Sequence, residues 1–221
     1  MGGVETFILD GIWGRPRRWE PLRATLEDRV GPATIYRYDC SGFVSFEELG
    51  GQLATAIRSR GAPVNLVGYS MGGLVIRSAH LVDSSLPIRR AAFMNSPHGG
   101  SWLACLLPLA GVRQMRPFDP YMKRLAAHTW DVPTLTIWNP VDGIIVPGRN
   151  TRWDGAGEHV RCGVPIHYWP ILSKPLQRRV VEFLAAGEAS EPATPATTPQ
   201  LSSRGSLSDR GISARREATE R

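Results

Sequence analysis

The stretch Val64-Asn65-Leu66-Val67-Gly68-Tyr69-Ser70-Met71-Gly72-Gly73-Leu74-Val75-Ile76 decides how this chain is read. Gly68, Ser70 and Gly72 stand in it with the spacing G-x-S-x-G. About one chain in ten of this length holds that spacing by composition alone, so the context carries the argument. An apolar run ends at Gly68, and a helical run starts directly after Ser70. A serine at a sharp strand-to-helix turn is held strained with its hydroxyl exposed, ready to act as a nucleophile. Glycines two positions to either side permit the close backbone approach such a turn requires. The competing reading is a glycine-rich turn with an incidental serine.

Outward from this turn, short apolar runs alternate with helical patterns. Strands are predicted at Val4 to Leu9, Ala33 to Tyr38, Val64 to Gly68, Arg90 to Asn95, Thr134 to Trp138 and His159 to Gly163. Helices are predicted at about Pro16 to Arg29, Phe46 to Arg60, Gly73 to Leu81 and Pro175 to Ala186. Strands of five or six residues alternating with helices predict an α/β fold, with a mostly parallel central sheet and helices on both faces. Function then sits at the carboxyl ends of the strands.

Leu66-Val67-Gly68-Tyr69-Ser70-Met71-Gly72-Gly73 resembles the nucleophile elbow of α/β-hydrolases, in particular small bacterial lipases and esterases. Asn95-Ser96-Pro97-His98-Gly99-Gly100-Ser101 is similar to the T-P-H-x-G-S segment that follows the next strand in those lipases. The resemblance runs in order through most of residues 4 to 186. It implies an α/β-hydrolase fold, reduced at the N-terminus because the sheet starts at residue 4, and carboxylic ester hydrolysis without a metal or organic cofactor.

Serine is a poor nucleophile at neutral pH; it needs a histidine base, and the base needs an orienting acid. In this fold the chain order is serine, acid, histidine. Asp142 lies in the turn after the strand ending at Trp138, where the acid is presented; Asp131 precedes that strand and Asp154 lies well past the turn. Of five histidines, His80, His98 and His128 precede Asp142. His159 begins a predicted strand, whereas His167 follows the last strand and precedes the terminal helix. The expected catalytic set is Ser70, Asp142 and His167, with His159 the rival base.

An oxyanion hole needs two backbone N–H groups aimed at developing charge. One is expected from Met71, directly after the nucleophile. Leu9-Asp10-Gly11-Ile12-Trp13-Gly14 resembles the H-G-x-x-G loop of lipases, which implies Ile12 as the second donor. Asp10 stands where lipases usually carry histidine, a departure bearing on loop geometry and charge; a simple strand-end turn is the alternative. Residues 101 to 131 fall where the fold inserts a cap, and their number allows only a short one. That length, with Pro108 interrupting the apolar run, predicts action on soluble short- or medium-chain esters without a jump in rate at an oil–water interface. Trp13, Trp102, Trp138 and Trp169 fall beside strand-end loops, where they either line an acyl pocket or pack in the core.

The 221 residues are 42% hydrophobic and 21% charged, which fits one soluble globular domain with residues left over. No run of about 18 apolar residues predicts a transmembrane span, and no basic segment before Val4 predicts a signal peptide. The net charge of +6 comes from arginine, and Arg17-Arg18, Arg89-Arg90 and Arg178-Arg179 lie far apart. They do not form the aromatic-interleaved basic stripe of a nucleic-acid reader. Cys40, Cys105 and Cys162 are too scattered for a disulfide framework or metal site and read as buried free thiols of a cytoplasmic protein. Gly187 to Arg221 is rich in Ser, Thr, Pro, Ala, Glu and Arg without an aromatic residue, and reads as a disordered tail behind a domain of residues 1 to 186.

The expected function is therefore a serine hydrolase cleaving a small-molecule or lipid ester through an acyl-enzyme on Ser70. Two alternatives stay open: an acyltransferase or thioesterase using the same triad, and a non-catalytic binding or scaffold protein on the same fold.

Overall fold

A computed structural model describes residues 3–186. In chain order it forms β1 (Thr6–Leu9), α1 (Glu20–Arg29), β2 (Ala33–Ile35), α2 (Phe46–Arg58), β3 (Val64–Tyr69), α3 (Met71–Val82) and β4 (Ile88–Met94). There follow α4 (Ala110–Arg113), α5 (Pro120–Ala127), β5 (Thr134–Trp138), β6 (Glu158–Arg161), α6 (Trp169–Leu172) and α7 (Lys174–Ala185). Short 3-10 turns occur at Pro16–Trp19, Trp102–Cys105 and Gly148–Thr151.

The six strands make one sheet in the order β2-β1-β3-β4-β5-β6, and every pairing is parallel. Successive side chains of a strand point to opposite faces, and β1 shows the consequence. Phe7 and Leu9 pack with Phe46, Leu49, Leu53 and Ile57 of α2 and with α3. Ile8 lies in the other layer, with Leu22 and Leu26 of α1 and Val180, Val181 and Leu184 of α7. β3 is buried along its whole length, which explains its mainly apolar sequence, and its one amide, Asn65, is buried with it.

Local chemistry sets the helix ends. The Ser45 hydroxyl accepts the Glu48 amide at 3.2 Å and opens α2. The Asp119 carboxylate accepts the Tyr121 amide at 2.9 Å, with Pro120 in the first turn of α5.

Several boundaries differ from the sequence reading. β1 begins at Thr6 rather than Val4. β2 ends at Ile35 rather than Tyr38, because it is an edge strand whose single neighbour, β1, stops at Leu9. Only Cys162 is buried; Cys40 and Cys105 are half-exposed, and all three are free thiols. No helix among the described residues is long and apolar enough to cross a membrane. The tail expected from Gly187 to Arg221 lies outside the described residues.

Candidate active site

Ser70 occupies the single-residue link between β3 and α3, with φ 50° and ψ −122°. That backbone is costly for a residue with a Cβ and persists only where its surroundings enforce it. The Ser70 amide donates to the Met94 carbonyl at 2.9 Å, tying the turn to the end of β4. A Cβ on Gly68 would stand 2.7 Å from the Gly73 Cα, and one on Gly72 would stand 2.6 Å from the Leu9 carbonyl oxygen. The two flanking glycines thus let α3 start directly against β3 and β1.

At the ends of β3, β5 and β6 three side chains converge. The Ser70 hydroxyl lies 2.8 Å from His167 Nε2, and His167 Nδ1 lies 2.8 Å from Asp142 Oδ2. Asp142 Oδ1 accepts the amides of Ile144 and Ile145, both at 2.8 Å, which leaves Oδ2 facing the imidazole. Because a carboxylate offers only acceptors, Nδ1 carries the proton and Nε2 is free to accept from the serine. The Asp142 side chain is fully buried and that of His167 is 10% exposed.

Residues not singled out from the sequence hold this geometry. The Asn95 side-chain amide donates to the His167 carbonyl at 2.8 Å, and that of Asn139 donates to the Val164 carbonyl at 2.6 Å. The acid's turn and the base's loop are therefore fastened to each other and to β4. Tyr69 packs its ring 5.2 Å from His167, and burial pushes its phenol pKa upward, so it stays a neutral wall. Two signals in the sequence marked Asn95: its place at a strand's carboxyl end and at the head of the segment similar to T-P-H-x-G-S.

The remaining histidines stand apart. His80 bonds His128 at 2.8 Å and lies 3.4 Å from Asp131. His98 is buried beside Arg77, and His159 is exposed on β6. Asp154 is an exposed partner of Arg152.

Met71 opens α3, so its N–H is one of the donors a helix leaves unpaired at its start. Around Ile12, the Gly11 amide is spent on Asp10 Oδ1 at 2.7 Å and the Trp13 amide on the Cys40 carbonyl at 2.8 Å. Trp13 sits at φ 52°, which turns the chain sharply beyond Ile12. Asp10 is not a loose charge beside the site. Its carboxylate is gripped by Arg18, its carbonyl accepts the Tyr38 hydroxyl, and Gly14 packs directly over it.

Ser70, Met71, Ile12 and Trp13 open onto a cavity of about 310 Å³ whose other walls, Ser101 apart, are apolar, including Leu103, Leu107, Met115 and Ile145. Of the four tryptophans considered from the sequence, Trp13 alone lines it. Trp102 leans on Phe118, Trp138 lies under Arg152, and Trp169 opens α6. The aliphatic wall comes from residues 103 to 115 and from Ile144 and Ile145 beyond the acid, a pairing invisible in sequence order.

A sequence profile described as the alpha/beta hydrolase family matches residues 11–212. The chain belongs to that family. No curated protein matches it significantly. Among solved structures, this α/β-hydrolase is similar to the mature form of a Bacillus licheniformis lipase, with a TM-score of 0.68 at 18% identity, over 81% of this chain and 92% of that one. It is similar to a Paleococcus ferrophilus monoacylglycerol lipase, with a TM-score of 0.67 at 16% identity, over 84% and 96% of the two chains. MenH from S. aureus gives 0.57 at 14% identity over 85% and 96%. At these identities the likeness establishes the shared fold.

Proposed function

We propose that this α/β-hydrolase cleaves carboxylic esters through an acyl-enzyme on Ser70. The observation that carries the reading is the unbroken chain from the Ser70 hydroxyl through His167 to the buried Asp142, opening on an apolar cavity. His167 Nε2 takes the hydroxyl proton as Ser70 Oγ attacks the ester carbonyl. The carbonyl oxygen, now negative, is met by the Met71 and Ile12 amides, main-chain donors of the kind that stabilise an oxyanion. The tetrahedral adduct collapses, His167 returns the proton to the departing alcohol, and the acyl group stays on Ser70. Water then loses a proton to His167, attacks the acyl carbon and releases a carboxylic acid, restoring the serine.

Asp142 holds the imidazole in the Nδ1–H tautomer and stabilises the imidazolium formed at each proton transfer. Residues 101 to 131 act as a short cap, and the apolar cavity takes the acyl chain. The neighbours named as lipases favour an ester over other acyl compounds. The free thiols favour a cytoplasmic setting.

A serine-reactive fluorophosphonate tests the reading directly. Labelling at Ser70, abolished in Ser70→Ala, is expected, together with turnover of p-nitrophenyl esters. A folded wild-type protein that neither labels nor turns over would make this a binding scaffold.

A further inference from the structure

Away from Ser70, α3 carries a buried cation without a counter-charge. Arg77 is 2% exposed, and no carboxylate among the described residues lies within ion-pair distance of it. Its guanidinium donates to the Leu125 carbonyl at 2.6 Å and faces His98 Nδ1 at 3.5 Å, while the Trp153 ring lies 4.2 Å beneath it. A guanidinium carries five N–H donors and no acceptor, so this leaves most of its capacity unmet. Buried charges are ordinarily paired, because water removed from them must be replaced.

His98 compounds the imbalance. Its Nδ1 faces a group that can only donate, so Nδ1 is the acceptor and the proton sits on Nε2. That Nε2–H is buried and has no hydrogen-bond partner among the described residues. The ring is stacked on Trp153 at 5.2 Å and edge-on to Phe93 at 5.0 Å. Burial, reinforced by the Arg77 charge, keeps the imidazole neutral.

Arg77 and His98 both line a cavity of about 370 Å³ walled by Trp130, Trp153 and His128, with Arg152 on its rim. The one acid on that wall, Asp154, is exposed and lies 3.3 Å from Arg152. The buried polar groups here are surplus donors around one positive charge, between indole rings. We propose that this cavity is a second ligand site that takes a small organic monocarboxylate, its oxygens on the Arg77 guanidinium and its body against the tryptophans. One negative charge neutralises Arg77, whereas a phosphate dianion would leave a net charge buried among aromatic walls. The site shares no residue with the Ser70 cavity and does not depend on catalysis.

The test uses sodium benzoate as probe, read by calorimetric titration and thermal melting of the full chain. Saturable one-to-one binding that raises the melting temperature is expected. Arg77→Met should weaken binding by about tenfold or more, and Ser70→Ala should leave it intact. Without benzoate, Arg77→Met should melt no lower than wild type, because it removes an uncompensated buried charge. Should that variant fail to fold, two readouts remain. The exposed-rim variant Arg152→Gln should bind more weakly, and the NMR resonances of the His98 ring, whose Nδ1 faces Arg77, should shift when wild type is titrated. Three results would overturn the proposal: no saturable binding, binding that leaves the His98 resonances unmoved, or inorganic phosphate binding as tightly as benzoate.

Discussion

Arg18 grips both carboxylate oxygens of Asp10, and Asp10 in turn holds the Gly11 amide at 2.7 Å, one residue before Ile12. The same guanidinium lies 5.3 Å over the Tyr69 ring, which also packs against His167. One ion pair thus braces the loop proposed to supply an oxyanion donor and the wall against which the base rests. At the position where the resemblance of this loop to H-G-x-x-G implies a histidine, this chain has an acid with its own counter-charge.

Breaking that pair should therefore misplace the Ile12 amide. Arg18→Met and Asp10→Ala are each expected to lower kcat by about ten- to a hundredfold, below the loss from deleting an oxyanion donor outright. Asp10→Asn keeps an oxygen for the Gly11 amide and should fall between these variants and wild type. Steady-state kinetics on a soluble ester decide it; a rise in KM with unchanged kcat would move the pair from catalysis to binding.

Ser70→Ala and His167→Ala should each cost about a thousandfold or more in kcat, and the double variant should be little worse, because the members act as a unit. Asp142→Asn should be damaging through the wrong imidazole tautomer. His159→Ala, altering an exposed residue on β6, should leave turnover unchanged. An inactive His159→Ala beside an active His167→Ala would reassign the base.

Two glycine-to-alanine changes should have opposite signs. At Gly72 the new methyl would press on the Leu9 carbonyl, so Gly72→Ala should cost about 1–3 kcal/mol of stability together with activity. At Gly51, within α2, nothing among the described residues lies within 4 Å of the new methyl, and Gly51→Ala should stabilise by up to about 1 kcal/mol. Urea melts of both variants provide the comparison.

Stability should fall on mild acidification. Burial and the Arg77 charge hold the His98 pKa well below the ordinary 6.5; burial and His128 lower that of His80, against the opposing pull of Asp131. Below about pH 6.5 the unfolded chain binds protons that these folded imidazoles refuse, so unfolding is favoured as pH drops. Above that pH neither group contributes a slope. The melting temperature should be level from pH 8 to 7 and decline toward pH 5.5, less steeply in His98→Asn. A melting temperature that rises over that interval would contradict the assignment.

The acyl cavity should be adjustable from its rim. Leu107 lines it while remaining 37% exposed, so a larger side chain there need not disturb the core. Leu107→Trp should reduce kcat/KM for p-nitrophenyl octanoate by about tenfold relative to the acetate ester. An equal effect on both esters would show that the acyl chain lies elsewhere.

What the sequence determined by itself was local. The elbow was legible because its determinants lie within a dozen contiguous residues: an apolar strand, two glycines, a serine and a helical run. The alternation of apolar runs and helices led to the parallel sheet, since strand and helix periods are properties of neighbours in the chain. Asp142 and His167 were legible by place, because a parallel sheet delivers each strand end to the same edge.

Tertiary structure alone decided what those places contain. The Asn95 amide reaches a carbonyl at position 167, and the cavity joins residues 103 to 115 with 144 and 145. Arg77, read from the sequence as one more residue of the elbow helix, proved to be buried with His98 and Trp153. Hydrogen bonds and charge pairing depend on a few tenths of an ångström between groups far apart in the chain, whereas periodicity records only which face each residue turns inward. Asp10 shows the difference most plainly: an odd residue in a familiar loop became a fixed one only once Arg18 was folded against it.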